Sequence, residues 1–185
     1  MVVVGLLSTQ GARLEHMSAL ERAGHDAGLD VEVRPLRSAS DLTEDLDALV
    51  LPGGESTTMR TAGSDVIGAV ATWCMKHPDR RVLGTCAGAI LLCGDVLDAS
   101  VERNGWGGQR ASFEAGLRTV VGGEANFHGV FIRAPRFSDE GSAQPIAWFE
   151  DEVVGVRDGS CMALTFHPEL TDDSRFHRWV LGVVE

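Results

Sequence analysis

A cysteine placed between two glycines is the first feature of the sequence with evident chemistry. The segment Gly84-Thr85-Cys86-Ala87-Gly88 follows a short apolar run and precedes an apolar helical pattern. Its form, G-x-C-x-G, is the cysteine version of the nucleophile elbow. A sharp strand-to-helix turn exposes its central side chain, and only small residues two positions away let the backbones approach. The pattern predicts that Cys86 is a nucleophile and that the Ala87 N–H faces a developing oxyanion.

A cysteine nucleophile needs a base, usually histidine, and a group that orients this base. His167 lies in Thr165-Phe166-His167-Pro168-Glu169, after a predicted strand. Pro168 restricts the local backbone, and Glu169 can hydrogen-bond the imidazole ring and fix its tautomer. We therefore predict that His167 is the base and Glu169 its orienting partner. Four other histidines suit surface roles: His16, His25, His77 and His177.

The loop Gly53-Gly54-Glu55-Ser56 follows another predicted strand. Its glycines leave backbone N–H groups open, and a helix is predicted to begin near Ser56, a suitable N-cap. Such a loop suits an oxyanion donor, here Gly54, and the binding of an amide or carboxylate. A phosphate site is a weaker alternative, because no G-x-x-x-x-G-K-[ST] pattern and no nearby lysine accompany the loop. A plain turn is the remaining alternative.

The overall composition narrows the classes of partner. The formal charge is −11, and the acidic residues are spread along the chain, which argues against nucleic-acid or acidic-membrane binding. The apolar start, residues 1–7, is too short to span a membrane, so we expect a soluble, cytoplasmic protein. The four cysteines form no CxxC pair and are predicted to be thiols. We expect no metal and no cofactor.

The elements that must position these residues differ between the two halves of the chain. Strands are predicted at residues 2–7, 31–36, 48–51 and 81–84, alternating with helices. The first helix carries an apolar stripe at Leu14, Met17, Leu20 and Ala23. This βαβ order predicts a parallel sheet whose site lies at the carboxyl ends of the strands.

From about residue 100 the pattern is that of hairpins. Strands are predicted at residues 111–114, 117–121, 130–133, 145–149, 152–156 and 161–166. A last helix opens at Asp172-Asp173-Ser174 and buries Phe176, Trp179, Val180, Val183 and Val184. The predicted fold is α/β, one domain over residues 1–185, with a mixed, mostly parallel sheet flanked by helices.

Six segments resemble the glutaminase subunits of pyridoxal 5′-phosphate synthase, the PdxT family of triad-type glutamine amidotransferases. They are Leu51-Pro52-Gly53-Gly54-Glu55-Ser56-Thr57-Thr58-Met59, Gly84-Thr85-Cys86-Ala87-Gly88, Val101-Glu102-Arg103-Asn104, Ser112-Phe113-Glu114-Ala115, Gly129-Val130-Phe131-Ile132-Arg133-Ala134-Pro135 and Phe166-His167-Pro168-Glu169-Leu170-Thr171. The resemblance runs from residue 2 to about residue 183. The segments at 8–11 and 105–109 depart from the usual family pattern.

This resemblance implies a fold, a reaction and a partner. The fold would be that of class I glutamine amidotransferases, which is flavodoxin-like. Cys86, His167 and Glu169 would form the triad that hydrolyses L-glutamine to glutamate and ammonia. Further residues would bind glutamine and the oxyanion: Gly54, Glu55, Ser56, Arg103, Ile132 and Arg133. The ammonia would pass to a PdxS-type synthase subunit in a hetero-oligomer that makes pyridoxal 5′-phosphate.

Three alternatives stay open from the residues themselves. The chain could be the glutaminase of another amidotransferase, serving imidazole glycerol phosphate or purine biosynthesis. It could be a cysteine peptidase or a DJ-1-like protein, although these often carry histidine directly after the nucleophile, where Ala87 stands here. It could also be a non-catalytic subunit of the same fold, against which the complete triad argues.

Overall fold

The first half of the chain alternates strands and helices, as its apolar pattern predicts. The structure, a computed structural model, describes residues 1–8, 12–54, 64–103, 105–106 and 112–185. The elements of this half are β1 (Val2–Leu7), α1 (Arg13–Ala27), β2 (Val31–Leu36), β3 (Ala48–Leu51), α2 (Ser64–Lys76), β4 (Arg81–Thr85) and α3 (Ala87–Leu92). Each predicted strand is confirmed to within one residue. The predicted start of a helix near Ser56 lies outside the described residues.

The second half consists mainly of strands. They are β5 (Ser100–Glu102), β6 (Ser112–Thr119), β7 (Ala125–Ile132), β8 (Arg136–Asp139), β9 (Gln144–Phe149), β10 (Glu152–Asp158) and β11 (Cys161–Leu164), followed by α4 (Arg175–Val180). The strands predicted at 111–114 and 117–121 belong to one strand, β6, because Gly116 continues the pairing with β7 instead of breaking it. The strands β5 and β8 were not predicted.

Within the described ranges, nine strands form one mixed sheet in the order β2-β1-β3-β4-β11-β10-β9-β6-β7. The pairings from β2 to β11 are parallel, and those from β11 to β7 are antiparallel. The strands β4 and β11 are central, and their register places Leu164 opposite Thr85. The chain segments that follow these two strands therefore leave the sheet side by side.

Two apolar layers cover the sheet. On one face, Val66, Val70 and Trp73 of α2 pack with Leu91 and Leu92 of α3. On the other face, α1 and α4 pack on the sheet through Leu20, Ala23, Phe176 and Trp179, which join a group of buried phenylalanines. The expected α/β fold with a mixed sheet flanked by helices is confirmed.

Two predicted helix stripes need correction. Leu14 is 64% exposed, because α1 turns His16, Ala19, Leu20 and Ala23 towards the sheet. The stripe of the last helix is right for Phe176, Trp179 and Val180, but α4 ends at Val180, so Val183 is exposed. Among the described residues, no helix has the length and apolar character needed to cross a membrane.

Candidate active site

Cys86 occupies a strained turn between β4 and α3. Its backbone lies at φ +48° and ψ −106°, in the left-handed half of conformational space that non-glycine residues rarely adopt. The Cys86 N–H donates to the Leu164 carbonyl at 2.8 Å, which fixes the turn to the end of β11. The strained strand-to-helix turn of the predicted elbow is present, but the Cys86 side chain is buried, not exposed as predicted.

The two glycines of the elbow are required by close backbone contacts. A Cβ atom on Gly88 would lie 1.9 Å from the Leu51 carbonyl oxygen, and one on Gly84 would lie 2.6 Å from the Gly88 oxygen. Neither position has room for a side chain, since these contacts are to backbone atoms. The prediction that the close approach of the backbones requires small residues at these two positions is confirmed.

His167 and Glu169 form the second part of the site. His167 follows β11. Its backbone N–H donates to the Val130 carbonyl at 2.9 Å, and this hydrogen bond links the residue to β7. Its ring Nδ1 lies 2.7 Å from Glu169 Oε1. Both residues are buried, so this hydrogen bond is shielded from water and fixes the ring orientation.

The electrostatics of the pair favour a protonated imidazole. Burial opposes the charge on His167, but the Cys86 thiol and the Glu169 carboxylate outweigh it and raise the pKa of His167 to about 10. Burial also opposes the charge on Glu169, but the nearby His16 and the hydrogen bond with His167 lower the pKa of Glu169. The site therefore suits an imidazolium hydrogen-bonded to a carboxylate.

Gly53 brings the cysteine and the histidine together. A Cβ atom at this position would lie 2.3 Å from His167 Cε1 and 3.2 Å from Cys86 Cβ, so the loop after β3 packs against both side chains. The Gly53 carbonyl also accepts a hydrogen bond from the Ala12 N–H at 3.2 Å. The sequence indicated this loop as an oxyanion donor through Gly54, but it did not reveal this packing role of Gly53.

The remaining predicted site residues differ in burial. Ala87 is buried and begins α3, where first-turn N–H groups have no acceptor within the helix. Ile132 ends β7, and its carbonyl lies 3.8 Å from Cys86 Sγ. Arg133 follows it with an exposed side chain and a φ of +47°. Arg103 is exposed just after β5.

The position of Arg103 follows from the small two-stranded sheet. Glu102 pairs with Arg136, so β5 runs beside the segment that follows Arg133. Gly54 is exposed at the end of the loop after β3. The predicted glutamine contacts Glu55 and Ser56 lie outside the described residues.

Two buried histidines were misjudged from the sequence. His16 and His177, predicted to have surface roles, are fully buried, whereas His25 is exposed as predicted. Neither forms a local motif, because one is on α1 and the other on α4, and only the tertiary fold brings them together. The sequence pattern that could have found His16 is its i, i+4 spacing with Leu20 on the buried face of α1.

Geometry rather than cavity size locates the site. A cavity of about 620 Å³ lies beside β8 and β10, and none of the predicted site residues that the structure describes lines it. In the part of the chain that the structure describes, no group of three or more His, Cys, Asp or Glu side chains could hold a metal ion. All four cysteines are free thiols, as predicted.

The chain is similar to known glutamine amidotransferases over nearly its whole length. The profile of the SNO glutamine amidotransferase family matches residues 6–185. A pyridoxal 5′-phosphate synthase subunit PdxT from Thermococcus onnurineus is 40% identical, covering 98% of each chain. The PdxT subunit from Halalkalibacterium halodurans is 39% identical, covering 100% of this chain and 96% of its own.

A solved structure described as a glutamine amidotransferase is similar at 41% identity and a TM-score of 0.83, covering 97% of both chains. The family profile and the two relatives extend over nearly the whole sequence, elbow and His-Pro-Glu segment included. This chain belongs to the SNO glutamine amidotransferase family.

Proposed function

We propose that this chain hydrolyses L-glutamine to glutamate and ammonia, with Cys86 as nucleophile, His167 as acid and base, and Glu169 as the group that orients His167. The observation that carries the proposal is the contact of Gly53 with both Cys86 and His167, which places the strained cysteine against an imidazole already bonded to Glu169. This arrangement is that of a nucleophile, a base and an orienting acid.

The reaction proceeds by acyl transfer. The Cys86 thiolate attacks the carbon of the glutamine carboxamide, and the oxyanion that forms accepts hydrogen bonds from the Gly54 and Ala87 N–H groups. The imidazolium of His167 gives its proton to the leaving nitrogen, and the C–N bond breaks to release ammonia. Neutral His167 then takes a proton from water, which attacks the thioester, and the thiolate leaves as glutamate forms.

Four further residues and the Ile132 segment at the end of β7 are proposed to form the glutamine pocket. Arg103 and Arg133 carry exposed guanidinium groups suited to the α-carboxylate of glutamine, which a fork-shaped donor binds in bidentate fashion. Glu55 and Ser56 would contact the rest of the amino acid, and the Ile132 segment, whose carbonyl faces Cys86 Sγ, would line the pocket. These roles are carried over from the family resemblance.

The ammonia acceptor is proposed to be the synthase subunit of pyridoxal 5′-phosphate synthase, joined to this chain in a hetero-oligomer. The support is the PdxT name carried by relatives that match this chain over nearly its whole length. A cytoplasmic location belongs to the same proposal, and the four free thiols suit a reducing compartment. A peptidase or a non-catalytic subunit is disfavoured by the family to which the chain belongs.

The test is ammonia release from glutamine by the purified chain with its co-purified synthase subunit. Cys86→Ala is expected to abolish release while leaving the melting temperature within a few degrees, because the thiol is lost and the turn is kept. Cys93→Ala is the matched control, since Cys93 lies at the other end of α3 and is expected to retain activity. An active Cys86→Ala protein would contradict the assignment.

The partner is tested by the same assay with and without the pyridoxal 5′-phosphate synthase subunit. Acceleration by this subunit, together with glutamine-dependent formation of pyridoxal 5′-phosphate, is the expected result. Acceleration only by a synthase subunit of imidazole glycerol phosphate or purine biosynthesis would overturn the choice of partner while preserving the glutaminase activity.

A further inference from the structure

A buried polar cluster lies directly behind Glu169. It consists of His16 on α1, Thr85 at the end of β4 and His177 on α4, and all three are fully buried. His16 Nε2 lies 3.1 Å from Thr85 Oγ1 and 3.4 Å from Glu169 Oε2, and His16 Nδ1 lies 3.0 Å from His177 Nε2. The triad as proposed uses none of these three side chains, although burying them is costly.

The two oxygens of Glu169 face two different histidines. Oε1 accepts the hydrogen bond of His167 Nδ1 at 2.7 Å. Oε2 is buried and has no hydrogen bond among the described residues, and His16 Nε2 lies 3.4 Å from it. The contact between His16 and Glu169 is therefore electrostatic. The same ring atom, His16 Nε2, faces both the Thr85 hydroxyl and the Glu169 carboxylate.

The protonation of the cluster follows from counting donors. One of the two histidine rings must donate across the 3.0 Å contact, and His177 Nδ1 is buried with no partner among the described residues. A buried donor without an acceptor costs more than an unprotonated ring nitrogen, so the proton of His177 belongs on Nε2. His177 then donates to His16 Nδ1, which leaves the proton of His16 on Nε2, facing Thr85 and Glu169.

Burial favours the neutral form of both rings of this cluster. Burial lowers the pKa of His16, and the attraction of Glu169 does not overcome it. Burial also lowers the pKa of His177, to about 3. The cluster thus presents to Glu169 the positive end of an N–H dipole rather than a second cation. The Glu169 carboxylate therefore forms its ion pair with His167 alone.

We propose that His16 is a positioning residue for Glu169, and that His177 fixes the tautomer in which His16 acts. His167 Nδ1 is hydrogen-bonded to Oε1 and the His16 N–H lies beside Oε2, so the Glu169 carboxylate is held against rotation away from His167 and the imidazole keeps the orientation that the reaction needs. The His16 Nε2–H also donates to the Thr85 hydroxyl, and Thr85 directly precedes the nucleophile, so the position of His16 is linked to that of the elbow. This inference rests on the proposed glutaminase function.

The main test compares two substitutions of His16 in the complete complex. His16→Leu removes the N–H, and kcat is expected to fall roughly 10- to 100-fold, as for other groups that orient an active-site ligand, with KM unchanged to within about twofold. His16→Gln places an amide N–H near the position of Nε2 and is expected to recover much of kcat. Equal losses in the two variants, or a kcat of His16→Leu within twofold of the native value, would overturn the proposal.

The matched control lies on the same helix. His25 is exposed at the end of α1, with a side chain 90% accessible, and His25→Leu and His25→Gln are expected to leave kcat and KM unchanged. His177→Phe is expected to lower kcat by less than His16→Leu. In this variant His16 keeps its Nε2–H but loses the hydrogen bond from His177 that fixes its tautomer. A loss in His177→Phe larger than in His16→Leu would contradict the assigned order.

A spectroscopic reading separates this inference from the glutaminase proposal. The Nδ1 proton of His167, identified by its absence in His167→Gln, is expected as a downfield imidazole resonance in the native protein and in His16→Gln. In His16→Leu it is expected to be shifted and broadened. If the native complex releases no ammonia, the proposed function fails; if the resonance is unchanged in His16→Leu, only the positioning role fails.

Discussion

At the scale of single residues, the chemistry is determined by local sequence and its geometry by distant contacts. The elbow and the His-Pro-Glu segment are each continuous in the chain, so their roles could be predicted from neighbours. The packing of Gly53 against His167 could not, because the two are brought together only when β3, β4 and β11 pair. The burial of His16 was missed for the same reason.

Gly53→Ala is a test of how the base is placed. The new methyl group would lie 2.3 Å from His167 Cε1, so the ring must move, and we expect kcat for glutamine hydrolysis to fall at least about 100-fold, since displacements near 1 Å have that effect. Gly68→Ala on α2 is the control, because its Cβ meets no atom within 4 Å. A Gly53→Ala enzyme with native kcat would contradict the contact.

At the scale of elements, strands were predicted more accurately than helix faces. A buried strand of a parallel sheet is a continuous apolar run with clear ends, as in β1 and β3, whose residues are nearly all buried. Predicting a buried helix face requires knowing which positions along the helix turn inward. The buried face of α1 was predicted wrongly because one of its buried positions is a histidine. The strands β5 and β8 are three and four residues long, too short for a reliable alternation.

The phase of α1 can be measured by two truncations. Leu20 is fully buried, so Leu20→Ala is expected to lower the free energy of unfolding by about 2–5 kcal/mol. Leu14, at 64% exposure, is expected to change it by less than about 0.5 kcal/mol when replaced by alanine. Urea denaturation gives both values, and a larger loss for Leu14→Ala would restore the stripe expected from the sequence.

At the scale of the whole molecule, buried histidines make stability depend on pH in both directions. The folded pKa of His177, about 3, lies below its unfolded value, so stability is lost as pH falls from about 6.5. The folded pKa of His167, about 10, lies above its unfolded value, so its contribution is full below about 6.5 and is lost as pH rises towards 10. Stability is therefore expected to be greatest slightly below neutral pH.

The two limbs can be assigned separately by denaturant unfolding at a series of pH values. Each group contributes a slope of up to about 1.4 kcal/mol per pH unit. His177→Gln is expected to flatten the acid limb, and His167→Gln the alkaline limb, while the exposed His25→Gln leaves both unchanged. If the loss of stability at alkaline pH persists in His167→Gln, a group other than His167 causes it, and the assignment is wrong.

The sheet order could be predicted in kind but not in detail. Alternating helices and strands indicated a parallel first half, and hairpin turns indicated an antiparallel second half, both of which the structure contains. The insertion of β11 beside β4 was beyond local patterns, because it depends on which edges remain to be paired once the chain is complete.

The pairing of β11 with β4 also sets the order in which the protein can become active. It joins positions about 80 residues apart, farther than any other pairing of described strands, and such distant contacts form slowly. The hairpins β6–β7 and β9–β10 are local and need no such search. While the chain emerges from the ribosome, Cys86 lacks its base until residues 161–169 have been synthesised. The complete triad therefore forms only in the last stage of folding.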